Sequence, residues 1–319
     1  MQQGEFNFFC YEPNKADMVS EVLTGLNSNP KFIAPKFFYD QRGSELFEAI
    51  TELDEYYPTR TEMRLLGKHL PEVAGLLGKN LCVVEYGSGS SMKIRKLLEA
   101  VSPEAYVPID ISQAHLLENA QVLFRDYPSL RIYPVCADFS QPLELPAVTQ
   151  DLRKVGFFPG SSIGNFEPGD ASGFLGTVRE EVGIGGALLI GVDRKKNVDI
   201  LHDAYNDPRG ITAAFNLNVL SHLNERFDAT FDLAAFSHQA RYNEQAGCMQ
   251  MFLRSCRDQV AHVAGSEVTF CLDEEVHTEN SYKFHPDEFL AIAGDAGFVA
   301  LRMWSDEQDW FSLFLLEAV

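Results

Sequence analysis

The sequence predicts an α/β protein: an open, mostly parallel sheet domain, joined to a second domain of α+β type. Three observations carry this. Leu81 to Val101 reads as a buried strand, a glycine turn and a helix. Three successive strand-like runs end in acids, at Glu85, Asp110 and Asp138. The βα rhythm then stops near residue 196, and a β-rich stretch intervenes before two closing strands.

The Leu81–Val101 stretch organises the rest. Cys82, Val83 and Val84 have the apolar, β-branched character of a strand covered on both faces. Gly87-Ser88-Gly89-Ser90-Ser91 is too rich in glycine and serine for helix or strand. Ile94, Leu97, Leu98 and Val101 then follow the spacing of one helix face. In such a unit the glycines let the backbone approach a ligand at the carboxyl edge of the strand. A dinucleotide fingerprint would need a third glycine at 92, where Met92 stands. With an acid at Glu85, this favours a ligand without phosphates, of which S-adenosylmethionine (SAM) is the common one.

Bulk properties exclude several classes. A chain of 319 residues suggests one large domain or two intertwined ones. A net charge of −20 repels phosphate backbones and anionic bilayers, so nucleic acid and membrane are not expected partners. There is no long apolar run and no charged-then-apolar N-terminus, so neither a span nor a secretory signal is expected. The six cysteines are scattered without a CxxC, which fits a reduced cytoplasmic setting. The histidines are equally scattered and HExxH is absent, so no metal is expected.

Taken in order, residues 14–26 read as a helix with Val19, Leu23 and Leu26 on one face. Ser44 is placed to cap a short helix burying Leu46, Phe47, Ile50 and Leu53. Thr59-Arg-Thr-Glu62 has the form of a capping box for the next helix. Of the aromatics here, Phe37 and Phe38 read as core. Tyr39 and Tyr56 carry hydroxyls that need partners and suit a pocket wall better. Ala105–Ile109 is the second strand, ending at Asp110, where such folds hydrogen-bond a ribose diol. Arg131–Ala137 is the third. It ends in Asp138-Phe139, an acid and a ring suited to an adenine. A strand running to Phe158 turns through Gly160-Ser-Ser-Ile-Gly164-Asn165, and a fifth, Ala187–Val192, ends at Asp193. Helical stretches around Tyr205 and over 212–223 follow, then β-runs at 249–253, 260–263, 268–272 and 275–284. A helix opened by Pro286 and an antiparallel pair, 299–304 and 311–316, complete the first sheet. The domains are therefore 60–196 plus 286–319, and 1–59 plus 197–285. Their junction is the expected place for a ligand.

Seven segments resemble one known family: KFFYDQRGSELFEAITELDEYYPTRTE, VEYGSGSSMKIRKLL, VPIDIS, CADF, PGSSIGNFEP, AYNDPRGITAAFNLNVL and HTENSYKF. The chain is similar to the ergothioneine-pathway L-histidine Nα-methyltransferases, which convert histidine to trimethylhistidine (hercynine) with three SAM molecules. The resemblance implies a Rossmann-like methyltransferase domain plus the family's own substrate domain. It implies a SAM site at Gly87, Lys93, Asp110, Asp138 and Phe139, beside Glu85. It implies a histidine site at Tyr56, Gly160, Asn165, Tyr205, Glu279 and Ser281. Tyr39, Phe47 and Met251 match positions near the reacting groups, Tyr39 as a positioning group or proton path. L-Histidine and SAM are then the expected ligands, and a monomer the expected state.

The chemistry agrees with these residue types. Methyl transfer from a sulfonium is an in-line displacement, and most of its catalysis is positioning. The final product is a fixed cation, which suits aromatic faces and carboxylates. Glu279 can accept an imidazole N–H, Ser281 can serve the other ring nitrogen, and Asn165, Tyr56 and Tyr205 can hold the amino-acid backbone. Read without the resemblance, Glu279 suits a solvated strand face, Tyr205 a core edge and Asn165 a turn. Two other functions stay open at this point: an Nα-methyltransferase of tryptophan or another amino acid, and a non-catalytic SAM-binding regulatory module. A dinucleotide dehydrogenase is disfavoured by Met92 and by the lack of a catalytic His or Lys constellation.

Overall fold

The computed structural model describes residues 4–11, 14–89 and 91–319, and the chain divides into two compact units. The first takes the N-terminal residues up to Glu12, Pro58–Lys196 and Tyr282–Val319. The second takes Pro13–Tyr57 and Asn197–Ser281. The first residues thus leave the domain to which the sequence assigned them. Phe9–Cys10 pairs in parallel with Val135–Cys136 at the sheet edge, and the Phe9 N–H donates to the Pro134 carbonyl at 2.9 Å. The return point also moves forward from 286 to 282, because the Phe284 N–H donates to the carbonyl of Asp193.

The first unit is built on a nine-stranded sheet. Its order is Phe9–Cys10, Val135–Cys136, Ala105–Asp110, Leu81–Tyr86, Arg153–Phe158, Ala187–Asp193, Phe311–Ala318 and Phe298–Ser305, with Arg131–Ile132 also on Ala105–Asp110. Every residue of Leu81–Tyr86, Ala105–Asp110 and Ala187–Asp193 is buried. This is why these runs are apolar throughout rather than alternating. All pairs are parallel up to Ala187–Asp193, and the two closing strands are antiparallel, as predicted. Strand order reverses between Leu81–Tyr86 and its two neighbours, so the crevice at their carboxyl ends is the topological switch point.

Packing follows the pattern read from the sequence. Helix Met92–Val101 buries Ile94, Leu97, Leu98 and Val101, which join Leu66, Leu70, Val83, Val155, Leu189 and Leu315 in one core. Each such side chain contributes roughly 1.5–3 kcal/mol relative to exposure. Two expectations are corrected. The third strand is not continuous over 131–137 but splits into Arg131–Ile132 and Val135–Cys136, separated by Pro134, which has no N–H for the ladder. The helix expected after Thr59 begins earlier, as Tyr57–Leu77, with Pro58 in its first turn, where a missing N–H costs nothing. Thr59–Glu62 therefore forms no capping box, and Glu62 serves another purpose.

The second unit has a four-stranded sheet in the order Lys31–Phe32, Glu275–Tyr282, Cys248–Ser255, Phe236–Asn243, and a separate hairpin, Gln259–Val263 with Ser266–Phe270. Its helices are Lys15–Leu26, Gln41–Thr51, Val198–Tyr205 and Ile211–Phe227. Phe37 and Phe38 are core, as predicted. The cap of Gln41–Thr51 is Asp40 rather than Ser44: Asp40 Oδ1 accepts from the Gly43 N–H at 2.6 Å. The turn can start there because Gly43 lies against the Phe38 carbonyl, where a Cβ would come within 1.7 Å of the oxygen.

Candidate active site

At the switch point, the Gly87 and Ser88 N–H groups both donate to the Ile109 carbonyl, at 2.9 and 3.0 Å, folding the glycine loop toward the next strand. Gly87 has φ of +71° and faces the Phe139 ring, so a side chain there would be strained and would crowd that ring. Asp110 closes the loop from the other side. Its carboxylate accepts from the Gly89 N–H at 3.2 Å and the Ser112 N–H at 2.9 Å. Burial raises its pKa against these two bonds, which pull the other way. Asn119 secures the loop further through the Gly89 carbonyl at 2.8 Å. Glu85 lies deeper. It is 1% exposed and bonded by the Tyr106 hydroxyl, and burial holds its pKa well above the usual carboxylate range.

Asp138 is half-buried, with Oδ1 bonded to the Ser140 N–H and hydroxyl at 3.0 and 2.6 Å. The neighbouring Phe139 ring packs edge-on to Phe158 and Phe174, at 5.8 and 5.9 Å. The sheet unit therefore assembles a glycine cradle with two positive-φ glycines, a buried acid at the second strand's end, and an acid–aromatic pair at the third's. An adenosine ligand without phosphates fits such a cradle: the acid suits a ribose diol and the ring an adenine face.

The second small-residue loop lies at the same edge. Its Gly160 N–H donates to both oxygens of Glu62, at 2.9 and 3.1 Å, and Lys93 Nζ pairs with Glu62 Oε2 at 2.6 Å. Glu62 is fully buried. Gly191 makes its space, since a Cβ there would fall 2.0 Å from Glu62 Oε1. The next residue, Ser161, adopts φ of +62° and accepts from the Asp193 N–H at 2.8 Å. A short 3-10 turn, Ser162–Asn165, then presents the half-buried Asn165. Gly164 is packed against the backbone of Tyr282, 2.7 Å from its carbonyl oxygen were a Cβ present. Beside it the buried Asp193 binds two buried lysines, Lys196 and, at 2.9 Å, Lys283. Burial outweighs Asp193 and brings Lys196 down to about 8.

In the second unit, Tyr39, Phe47 and Tyr56 form one aromatic group. Phe47 is edge-on to Tyr39 at 6.0 Å and to Tyr56 at 6.3 Å. Phe215, from helix Ile211–Phe227, completes it at 5.8 Å from Tyr39 and 5.9 Å from Phe47. Tyr205, Met251, Glu279 and Ser281 are all buried, Glu279 to 7% exposure. Alternation along Glu275–Tyr282 puts Glu279 and Ser281 on one face and Thr278 and Asn280 on the other. Glu279 is thus not on a solvated face.

The structure brings Gly87, Lys93, Asp110, Asp138, Phe139, Glu85, Gly160 and Asn165 into the sheet unit, and Tyr39, Phe47, Tyr56, Tyr205, Met251, Glu279 and Ser281 into the other. Sequence reading missed Glu62, Phe215, Lys196 and Lys283. The third position after Thr59 pointed to Glu62 but suggested a cap. Nothing in the local pattern marks Phe215 off from core, or tells a buried lysine from a surface one.

Comparison with known proteins gives a family. One described as "Histidine-specific methyltransferase, SAM-dependent" matches residues 18–318. A histidine N-alpha-methyltransferase of Mycolicibacterium smegmatis is 39% identical over 316 residues, covering 97% of each chain. One of Mycobacterium tuberculosis is 40% identical over 301 residues, covering 92% of this chain and 93% of the other. Ergothioneine biosynthesis protein 1 of Neurospora crassa is 29% identical over 86% of this chain, which spans 32% of that longer protein. With a match over nearly its whole length and a glycine cradle of the fitting kind, the chain belongs to the SAM-dependent, histidine-specific methyltransferase family.

Proposed function

We propose that this protein is an L-histidine Nα-methyltransferase that transfers three methyl groups from SAM to the α-amine, giving hercynine for ergothioneine synthesis in the cytoplasm. The observation that carries the substrate is the pair Glu279 and Ser281, buried on one strand face. A buried carboxylate and hydroxyl match the two ring nitrogens of an imidazole. A ligand with fewer ring donors leaves one of them unpaired, which is costly. The mycobacterial relatives support the same substrate by name.

SAM, when bound, supplies the electrophilic methyl group. In the sheet unit, Asp110 takes the ribose hydroxyls, Asp138 and Phe139 the adenine, and the Gly87 loop the backbone approach. Lys93, held by Glu62, meets the carboxylate of the donor's amino-acid part. Glu85 keeps the strand end fixed through Tyr106 rather than reaching the ligand. For the acceptor, Tyr56 and Tyr205 of the second unit take the amino-acid backbone, and Tyr39 orients the amine and offers a hydroxyl to its departing protons; Gly160 and Asn165 are the sheet unit's own candidates for the amino acid. No side-chain nucleophile is needed, because the amine lone pair attacks directly once held about 3 Å from the methyl carbon. The rings of Phe47, Tyr39 and Phe215, with Met251, suit the growing cationic amine.

The test is a mass-spectrometric assay with SAM and an equimolar mixture of the common amino acids. A gain of three CH2 units on histidine alone is the expected product. Methylation of tryptophan or another amine instead overturns the substrate. SAM binding without any product moves the protein to a regulatory role.

A further inference from the structure

Helix Ile211–Phe227 carries an asparagine, Asn216, that is fully buried in the second unit. Its amide bonds to three different strands. Nδ2 donates to the Phe252 carbonyl at 3.0 Å and lies 2.9 Å from His238 Nδ1. Oδ1 accepts from the Thr278 hydroxyl at 2.8 Å. His238 continues the chain, with Nε2 3.0 Å from the Tyr205 carbonyl. The donor inventory fixes the imidazole: facing an amide donor, Nδ1 must accept, so Nε2 carries the proton and gives it to Tyr205. That carbonyl ends helix Val198–Tyr205, where no partner exists within the helix.

Each end of this network adjoins a residue assigned above to the amino acid. Phe252 follows Met251, Thr278 precedes Glu279, and Tyr205 is itself one. Asn216 cannot touch a ligand, because it is 0% exposed, and Thr278 is 1% exposed. An apolar residue would fill the same space without desolvating an amide, so stability alone does not call for asparagine here. What the amide adds is a fixed arrangement of three elements, the specific property of a fully satisfied buried network.

We infer that Asn216 and His238 are positioning residues that set the affinity for the amino-acid substrate, by holding Tyr205, the Met251 strand and the Glu279 strand in one arrangement. The inference rests on the proposed histidine-methyltransferase reading. Protonation of Nδ1 would break the link to Asn216, so the network works with a neutral ring. Burial favours that state, against the Tyr205 carbonyl and the charge of Asp207.

The test compares binding of L-histidine, in saturating S-adenosylhomocysteine, with binding of S-adenosylhomocysteine alone, by calorimetry on the full chain. His238→Leu removes both bonds. His238→Gln can accept from Asn216 and donate to Tyr205. The leucine variant is expected to weaken L-histidine on the order of 10–100-fold, by analogy with the loss of a residue that orients a metal ligand. S-adenosylhomocysteine should bind as in the wild type, and the glutamine variant should retain most of the L-histidine affinity. Thr278→Val, isosteric and suited to a strand, gives the same sign at smaller size and serves if the leucine variant does not fold. Equal L-histidine affinity in the glutamine and leucine variants, an unchanged Thr278→Val, or an equal loss for both ligands overturns the inference. A wild-type protein that binds S-adenosylhomocysteine but no L-histidine overturns the proposed function itself.

Discussion

The proposed ligand assignments rest on single acidic residues near strand ends. Asp110 is buried, yet two backbone N–H groups keep its carboxylate aimed at the glycine loop. Asp110→Ala is expected to cost S-adenosylhomocysteine about 1.5–3 kcal/mol per ribose hydrogen bond to the charge. Calorimetry checks this, and an unchanged affinity contradicts the ribose assignment. Glu279→Ala is expected to cost selectivity for histidine over other amino acids on the order of a hundredfold, because the paired donor and acceptor are what reject the rest. Competition between histidine and tryptophan measures it, and an unchanged ratio refutes the imidazole role. Acids were visible in the sequence at both places. Their settings were not: a glutamate in a β-run reads as exposed until the neighbouring elements are known. Glu62 was hidden for the same reason, since its partners Lys93 and Gly160 lie 31 and 98 residues away in sequence.

Elements carry the next set of constraints. The GSSIGN loop depends on Gly164, which meets the Tyr282 backbone where no side chain can yield. Gly164→Ala is expected to destabilise by roughly 1–3 kcal/mol, as overpacking does, and to weaken whatever Asn165 holds. Urea unfolding at matched conditions measures it, and a stability equal to wild type contradicts the packing. The His238 link has a pH signature. Its folded pKa lies below the ordinary 6.5, so the unfolded chain binds the extra proton first. Its contribution is therefore present above 6.5 and lost as pH falls below it. The stability difference between wild type and His238→Gln should shrink on acidification through that range, and a pH-independent difference contradicts the neutral buried ring. At this scale the apolar parallel strands and helix Met92–Val101 were readable, because burial on both faces or on one leaves a period in the sequence. Phe236–Asn243 was not, because its half-buried polar residues blur the alternation, and Phe9–Cys10 and Lys31–Phe32 are two residues long.

As a whole, the chain interleaves two units, so its sequence crosses between them four times. The sheet unit's βα rhythm and closing antiparallel pair announced themselves. The interruption after Lys196 announced a second unit, but only pairing at the sheet edge could assign the first residues to the sheet. The central claim is that one unit takes the methyl donor while the other supplies the groups that recognise histidine. The most direct measurement is a crystal structure of the protein with S-adenosylhomocysteine and L-histidine. The account predicts the ribose on Asp110, the adenine beside Asp138 and Phe139, and the imidazole nitrogens on Glu279 and Ser281. An imidazole placed away from Glu279, or an adenosine bound outside the glycine cradle, would contradict it.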